Sequence, residues 1–145
     1  MNNWKVVVLI FYDHDGKILL NNRGGKKSHH ECVWEFLGGS IEDDENPLDA
    51  IKREIREELN YEVDEEKDEL NFVNKFKLSD NDRVYNVYYF KAKFPGFKKF
   101  SNSKEVKVTN LKLFSIDEAL SLSLLPISRK LISYLPQTIV LINHF

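Results

Sequence analysis

The chain has 145 residues, 42% hydrophobic and 12% aromatic, with 21 Lys and Arg against 23 Asp and Glu for a net charge of −2. A chain of this size and composition buries a core without metal or disulfide staples, so one domain over 1–145 is expected and a disordered chain is excluded. A single cysteine excludes an intrachain disulfide framework, and the near balance of charge excludes the uniformly basic footprint of a duplex-binding protein.

In chain order, WKVVVLIF (4–11) follows no basic segment and is too short to span a membrane, so it reads as a strand rather than a signal peptide or anchor. A cytoplasmic location without a membrane partner is the expectation. KILL (17–20) reads as a second strand, and YDHDG between the two favours a turn, which predicts a hairpin. The basic loop NNRGGKKSHH (21–30) leads into ECVWEFL as a further strand, within which Cys32 reads as a small buried apolar residue. His29 and His30 are adjacent and project differently, with no Cys or acid at zinc-ligand spacing, so they and His14 and His144 read as loop residues.

A helix is punctuated explicitly over about 47–59. Asn46 is an N-cap residue, Pro47 suits the first helical position, and Asp49 places an acid where the helix start favours one. Leu48, Ile51, Ile55 and Leu59 form one apolar stripe for packing on a sheet, and Asn60 falls where a left-handed cap is expected. Downstream, LNFVNKFKL (70–78), RVYNVYYFKAKF (83–94) and KVTNLKLFSI (107–116) read as strands, followed by two short helices in IDEALSLS and ISRKLISYL, the second between Pro126 and Pro136. Tyr85, Val87 and Tyr89 alternate with Val84, Asn86, Tyr88 and Phe90, so one row faces a core and the other is a candidate lining for a base-stacking cleft, with core or sheet-surface packing the first expectation for most of the aromatics. The apolar TIVLINHF that closes the chain fits an extra strand or a dimer contact, which leaves monomer and homodimer both open.

Charge gathers around that first helix. Residues 42–58 hold eight acids against three bases, and YEVDEEKDEL extends the excess to residue 69. At about 100° per residue, Glu54, Glu57, Glu58 and Ala50 share one arc beside the apolar stripe. Like charges three and four positions apart cost a helix roughly 0.2–0.5 kcal/mol per pair, a sign that a divalent cation reverses. Magnesium takes hard oxygen ligands and keeps room for substrate phosphates, which suits a partly exposed carboxylate arc, and Gly38-Gly39 lets backbone approach the same place.

Gly39, Glu45, Arg53, Glu54, Ile55, Glu57, Glu58 and Tyr61 stand in the spacing G-x5-E-x7-R-E-U-x-E-E-x-G-U, with U a bulky apolar residue. Over Gly39–Tyr61 the chain thus closely resembles a Nudix hydrolase, with Asn60 where the pattern has Gly and Tyr61 in the last apolar slot. The resemblance continues in LLNNR (19–23), WEFLGG (34–39, with Leu37 where many members have Pro) and LFSIDEAL (113–120). It implies an α/β/α sandwich on a mixed sheet, in which a loop-helix-loop binds Mg²⁺ or Mn²⁺ and cleaves a nucleoside diphosphate linked to another moiety. By position, Gly38 would offer its carbonyl, Glu54, Glu57 and Glu58 would hold metal with Glu54 assisting the attacking water, and Arg53 would pair with Glu45. Many members recruit a later acid, for which Glu105 is the candidate here, and Arg23 is the candidate phosphate contact ahead of Lys26 and Lys27.

A nucleoside triphosphate, an oxidised one included, is the first expectation for the substrate. A nucleotide sugar or dinucleoside polyphosphate is the alternative, although the Pro or Tyr expected past the helix in those branches is missing around Phe76 and Leu78. A non-catalytic nucleotide sensor is the alternative of another class, against which retention of all three glutamates argues.

Overall fold

The computed structural model describes residues 2–23 and 32–135. Among these, seven strands form one mixed sheet: β1 (Asn2–Tyr12), β2 (Ile18–Asn22), β3 (Trp34–Glu35), β4 (Leu37–Ser40), β5 (Asn71–Asp80), β6 (Arg83–Lys93) and β7 (Leu111–Phe114). Their order is β3-β2-β1-β6-β5, with β4 beside β1 and β7 beside β2. β1 and β6 run parallel from Asn2↔Arg83 to Tyr12↔Lys93, and the other pairings are antiparallel. The helices are α1 (Pro47–Leu59), α2 (Ile116–Leu120) and α3 (Pro126–Ile132).

β1 explains why its sequence is an unbroken apolar run: successive side chains point to opposite faces, and both faces are covered. Val7, Leu9 and Phe11 join Ile51, Ile55 and Leu59 of α1 in one core. Val8 and Ile10 join Val87, Tyr89, Leu131 and Ile132 in a second core under α2 and α3. The sheet therefore lies between helices, as the expected α/β/α sandwich requires. No helix among the described residues is long and apolar enough to cross a membrane.

Several elements depart from the sequence expectation. The hairpin meets only at Tyr12↔Ile18, after which β4 takes the place beside β1 and β2 pairs with β7. ECVWEFL is split into β3 and β4, because the Phe36 N–H between them donates to Ser128 Oγ of α3 at 3.0 Å instead of to a strand. Cys32 precedes β3, outside any ladder, and is exposed rather than buried. Residues 108–110 form a 3₁₀ turn, so β7 is confined to four residues. Ser115, expected within that strand, instead caps α2 in a reciprocal pair with Glu118. Both rows of β6 contribute to cores, Val87 and Tyr89 to one and Phe90 to the other, which is the packing expected for most of these residues, and Tyr85 also lines a cavity. The tail 137–145, Pro136, Lys26, Lys27, His29, His30 and His144 lie outside the described residues.

Candidate functional site

Local rules aim α1 at the sheet. The Asn46 side chain accepts from the Asp49 N–H at 2.8 Å, Pro47 opens the helix, and Asn60 closes it at φ 54° with its N–H on Arg56 O at 2.9 Å. The Asn60 side chain also donates to the carbonyls of Ser101 and Asn102, at 3.3 and 2.9 Å, and so ties the loop after β6 to the helix end. Tyr61 packs edge-on against Phe100 and donates its hydroxyl to buried Asp68, which accounts for a polar aromatic in an apolar slot.

With Ala50, Ile51, Ile55 and Leu59 fully buried against β1, the arc of Glu54 and Glu58 faces β4. Glu58 is only 8% exposed, and its Oε1 accepts the Gly38 N–H at 3.0 Å. Burial first, and the Glu54 carboxylate next, push its pKa up to about 9. Glu54 is also raised by burial, opposed by its bond to Arg53. Gly39 leaves the space that the Glu54 carboxylate occupies, since a Cβ there would sit 2.4 Å from it and displace that side chain. At Gly38, with φ +147°, a Cβ would fall 2.0 Å from the Val7 carbonyl oxygen.

Arg53 organises the acids around it. Its guanidinium donates to Glu45 at 2.7 and 2.9 Å, to Glu54 at 2.9 Å, to Glu57 at 3.2 Å and to the Ser40 carbonyl at 2.9 Å. The two-pronged contact holds Glu45 well below the usual carboxylate range, at about 2. Glu57 stands at the rim, with its side chain half exposed.

Expected outliers and unforeseen residues meet on the other side. Arg23 approaches Glu35 of β3 at 3.6 Å, and Glu35 also takes a side-chain hydrogen bond from buried Asn21 of β2. Burial raises Glu35, with Arg23 opposing. Glu105 is exposed beyond the 3₁₀ turn at 97–99, yet its charge reaches Glu35, Glu54 and Glu58 and raises all three. The structure thus places Arg23 in one cavity lining with Glu35, Gly38 and Gly39, whereas Glu105 acts on the acids only through its charge and makes no ion pair or hydrogen bond to them among the described residues. Glu35 and Asn21 were missed by sequence reasoning; the available signal was WEFLGG itself, where Glu35 stands three residues before Gly38 in a strand leading to the helix.

Arg23, Glu35, Gly38 and Gly39 form one end of a cavity of about 300 Å³ that continues along the sheet past Val6 and Val8 to Leu78, Asp80 and Tyr85, with the Leu125–Ser128 segment opposite. A second group of potential ligand atoms, from Asp13, His14 and Asp15, lies within 4.8 Å in the turn after β1. It sits at the opposite end of β1 from this cavity, and one Asp13 oxygen is already occupied by the N–H groups of Asp15 and Lys17. The donor chemistry at α1 is the better fit to a hard divalent cation: it consists of carboxylate oxygens, two of them nearly buried, with one guanidinium shared among several acids.

The NUDIX domain model matches residues 1–135. CTP pyrophosphohydrolase of Escherichia coli (strain K12) is 46% identical over 57 residues, 39% of this chain and 42% of that protein. 8-oxo-dGTP diphosphatase of Proteus vulgaris is 49% identical over 37 residues, 26% of this chain and 33% of that protein. The chain thus aligns with less than half the length of these relatives. Among solved structures, the E. coli ORF135 protein matches with a TM-score of 0.72 and 28% identity, covering 94% of this chain and 91% of that one. The MutT protein from Methanosarcina mazei matches in fold with a TM-score of 0.70 at 15% identity, covering 94% and 95%.

Proposed function

The chain belongs to the NUDIX domain family, and from that premise we propose that it hydrolyses a phosphoanhydride bond in a nucleoside triphosphate, oxidised forms included, releasing monophosphate and pyrophosphate. The observation that carries this reading is that Gly38 and Gly39, which line a cavity of about 300 Å³, are also the residues that Glu58 bonds and Glu54 packs against, so the Arg53-braced carboxylates adjoin a largely apolar space through these two glycines. A polyanion joined to a planar ring matches both ends. The pyrophosphohydrolase and diphosphatase names of the relatives support the same class of substrate.

Glu54, Glu57 and Glu58, with Glu105 and the Gly38 carbonyl, are the groups to hold Mg²⁺ or Mn²⁺, which when bound supplies charge neutralisation to the phosphate oxygens. The protein's own contribution is orientation and proton handling. The Gly38 N–H fixes Glu58, and Arg53 fixes Glu54 through Oε1. Glu54 Oε2 carries no hydrogen bond among the described residues, and it is the atom assigned to accept the proton of the attacking water. Arg23, held over Glu35, contacts the phosphates.

The test is phosphate release, with added pyrophosphatase, over a panel of nucleotides in Mg²⁺, with products identified by chromatography. Activity is expected to require the cation and to rise toward alkaline pH as the base and water lose protons more readily. In ¹⁸O-labelled water the label is expected in a phosphate product; full turnover in excess chelator, or label in neither product, defeats the reading.

A further inference from the structure

Away from the carboxylates, the cavity has an unusual polar inventory for its size. Its walls there are mostly aliphatic, from Val6, Val8, Leu78, Leu125 and Ile127. Three polar side chains interrupt them: Asp80, Tyr85 and Ser128. Ser128 is only 4% exposed and accepts the Phe36 N–H, which leaves it one lone pair and its hydroxyl hydrogen, and that hydrogen is what it can offer an acceptor on a ligand. The Tyr85 hydroxyl takes a hydrogen bond from Arg83 at 3.5 Å. The Arg83 guanidinium also lies over the Trp4 ring, at 5.7 Å, and Asp80, exposed at the strand end opposite Arg83, feels that charge but makes no ion pair within 4 Å among the described residues.

Sheet register puts these groups on one face. Leu78 pairs with Tyr85 and Asp80 with Arg83 across β5 and β6, and the two-residue period sends Leu78 and Asp80 to the same side. Asp80 is therefore a carboxylate at the open end of an apolar slot, and an ionised carboxylate only accepts hydrogen bonds. A ring in that slot gains if it presents an N–H to Asp80 and an acceptor to Ser128. A ring that presents a carbonyl oxygen to Asp80 meets two groups that both lack a proton, and is rejected.

We propose that Asp80 is a specificity-determining residue that selects an amino-bearing nucleobase over its keto counterpart, with Ser128 as the matching donor deeper in the cavity. The inference rests on the nucleotide reading above. Cytosine and uracil test it, since they differ hardly at all in size and invert hydrogen-bond polarity at ring positions 3 and 4, where the bare nitrogen and amino group of cytosine become the N–H and carbonyl of uracil.

The experiment compares kcat/KM for CTP and UTP in Mg²⁺, for wild type and D80N, together with binding of CMP and UMP by calorimetry. Wild type is expected to favour CTP by on the order of 10-fold, the scale of one hydrogen bond to a charged group. In D80N the amide both donates and accepts, so CTP falls, UTP rises and the ratio collapses toward unity. The monophosphates should show the same preference and the same collapse, and they report base reading even if no triphosphate is hydrolysed. Absent hydrolysis with a surviving CMP preference would therefore overturn the proposed reaction while supporting the role of Asp80. A CTP to UTP ratio that D80N leaves unchanged, a wild type that does not prefer the amino base, or failure of both monophosphates to bind overturns the role of Asp80.

Discussion

Two adjacent glycines carry different burdens. A methyl group at Gly39 meets only the far end of the Glu54 side chain, which can swing away, whereas one at Gly38 meets the Val7 backbone carbonyl in the neighbouring strand. Gly39→Ala should therefore fold with a loss under about 1 kcal/mol but turn over substrate 10-fold or more slowly, because Glu54 is displaced. Gly38→Ala should cost 3 kcal/mol or more by urea denaturation, on the scale of strained backbone plus a broken ladder, estimated as about 1–3 kcal/mol for the strain alone. Equal stability losses in the two variants would contradict this division. Arg53→Lys tests the brace: an ammonium has three donors from one point and cannot reproduce a planar fork serving Glu45, Glu54, Glu57 and Ser40 at once. Turnover should fall at least 10-fold in steady-state assays, and an unchanged kcat would show that the fork is dispensable. The Arg53–Glu45 pair was legible only through the resemblance of residues 39–61 to the Nudix pattern, and in the structure the two form a two-pronged contact. Glu35 was not, since its partners are Asn21 of β2 and Arg23 just after it, and only the β2–β3 register brings them together.

Helix α1 was readable end to end because its caps, stripe and breaker are all local. The strands were less so. β4 ends up beside β1 through a split in ECVWEFL that depends on Ser128, ninety-two positions away, accepting the Phe36 amide. The same distant logic changes what Asn60 does. Its left-handed φ alone makes glycine the better residue there, by roughly 0.5–1 kcal/mol. Its side chain, however, also holds the carbonyls of Ser101 and Asn102, contacts worth about 0.5–1.5 kcal/mol each at most in this exposed setting. Asn60→Gly should thus give no net gain and a loss of up to about 1 kcal/mol in urea, and Asn60→Ala a larger one, since alanine forfeits the bonds and keeps the strain. A clear stabilisation by glycine would mean that the two loop contacts contribute nothing.

The sheet is shared by both cores, and β1 belongs to each, so unfolding of the described domain is expected to be cooperative and a single buried group can register in its global stability. Glu58 is that group. In chelator its folded pKa of about 9 lies above the ordinary carboxylate value of 4.5. Below 4.5 both states carry the proton and the contribution to stability is fully present. As pH rises toward 9 the unfolded chain releases the proton while the fold retains it, so stability falls, with an upper limit for one proton of about 1.4 kcal/mol per pH unit. Glu54 and Glu35, also raised, tilt the curve the same way. Glu45 acts oppositely: held near 2 by Arg53, its contribution is present above 4.5 and lost only as pH falls through about 2. Metal-free protein should accordingly be most stable near pH 4.5 and weaken on both sides. Added Mg²⁺ should restore stability at pH 8, because a cation bound to the folded state alone shifts the balance by mass action. Glu58→Gln removes the buried charge at nearly constant volume, so its chelator curve between pH 5 and 9 should be flatter, its gain from Mg²⁺ smaller, and its turnover lower by about 100-fold or more. The measurement is the urea midpoint at several pH values, in chelator and in Mg²⁺, for both proteins. Wild type holding constant stability from pH 5 to 9 in chelator would mean that Glu58 is ionised and accommodated without a metal, and the assignment of the carboxylates as a cation site would lose its physical basis.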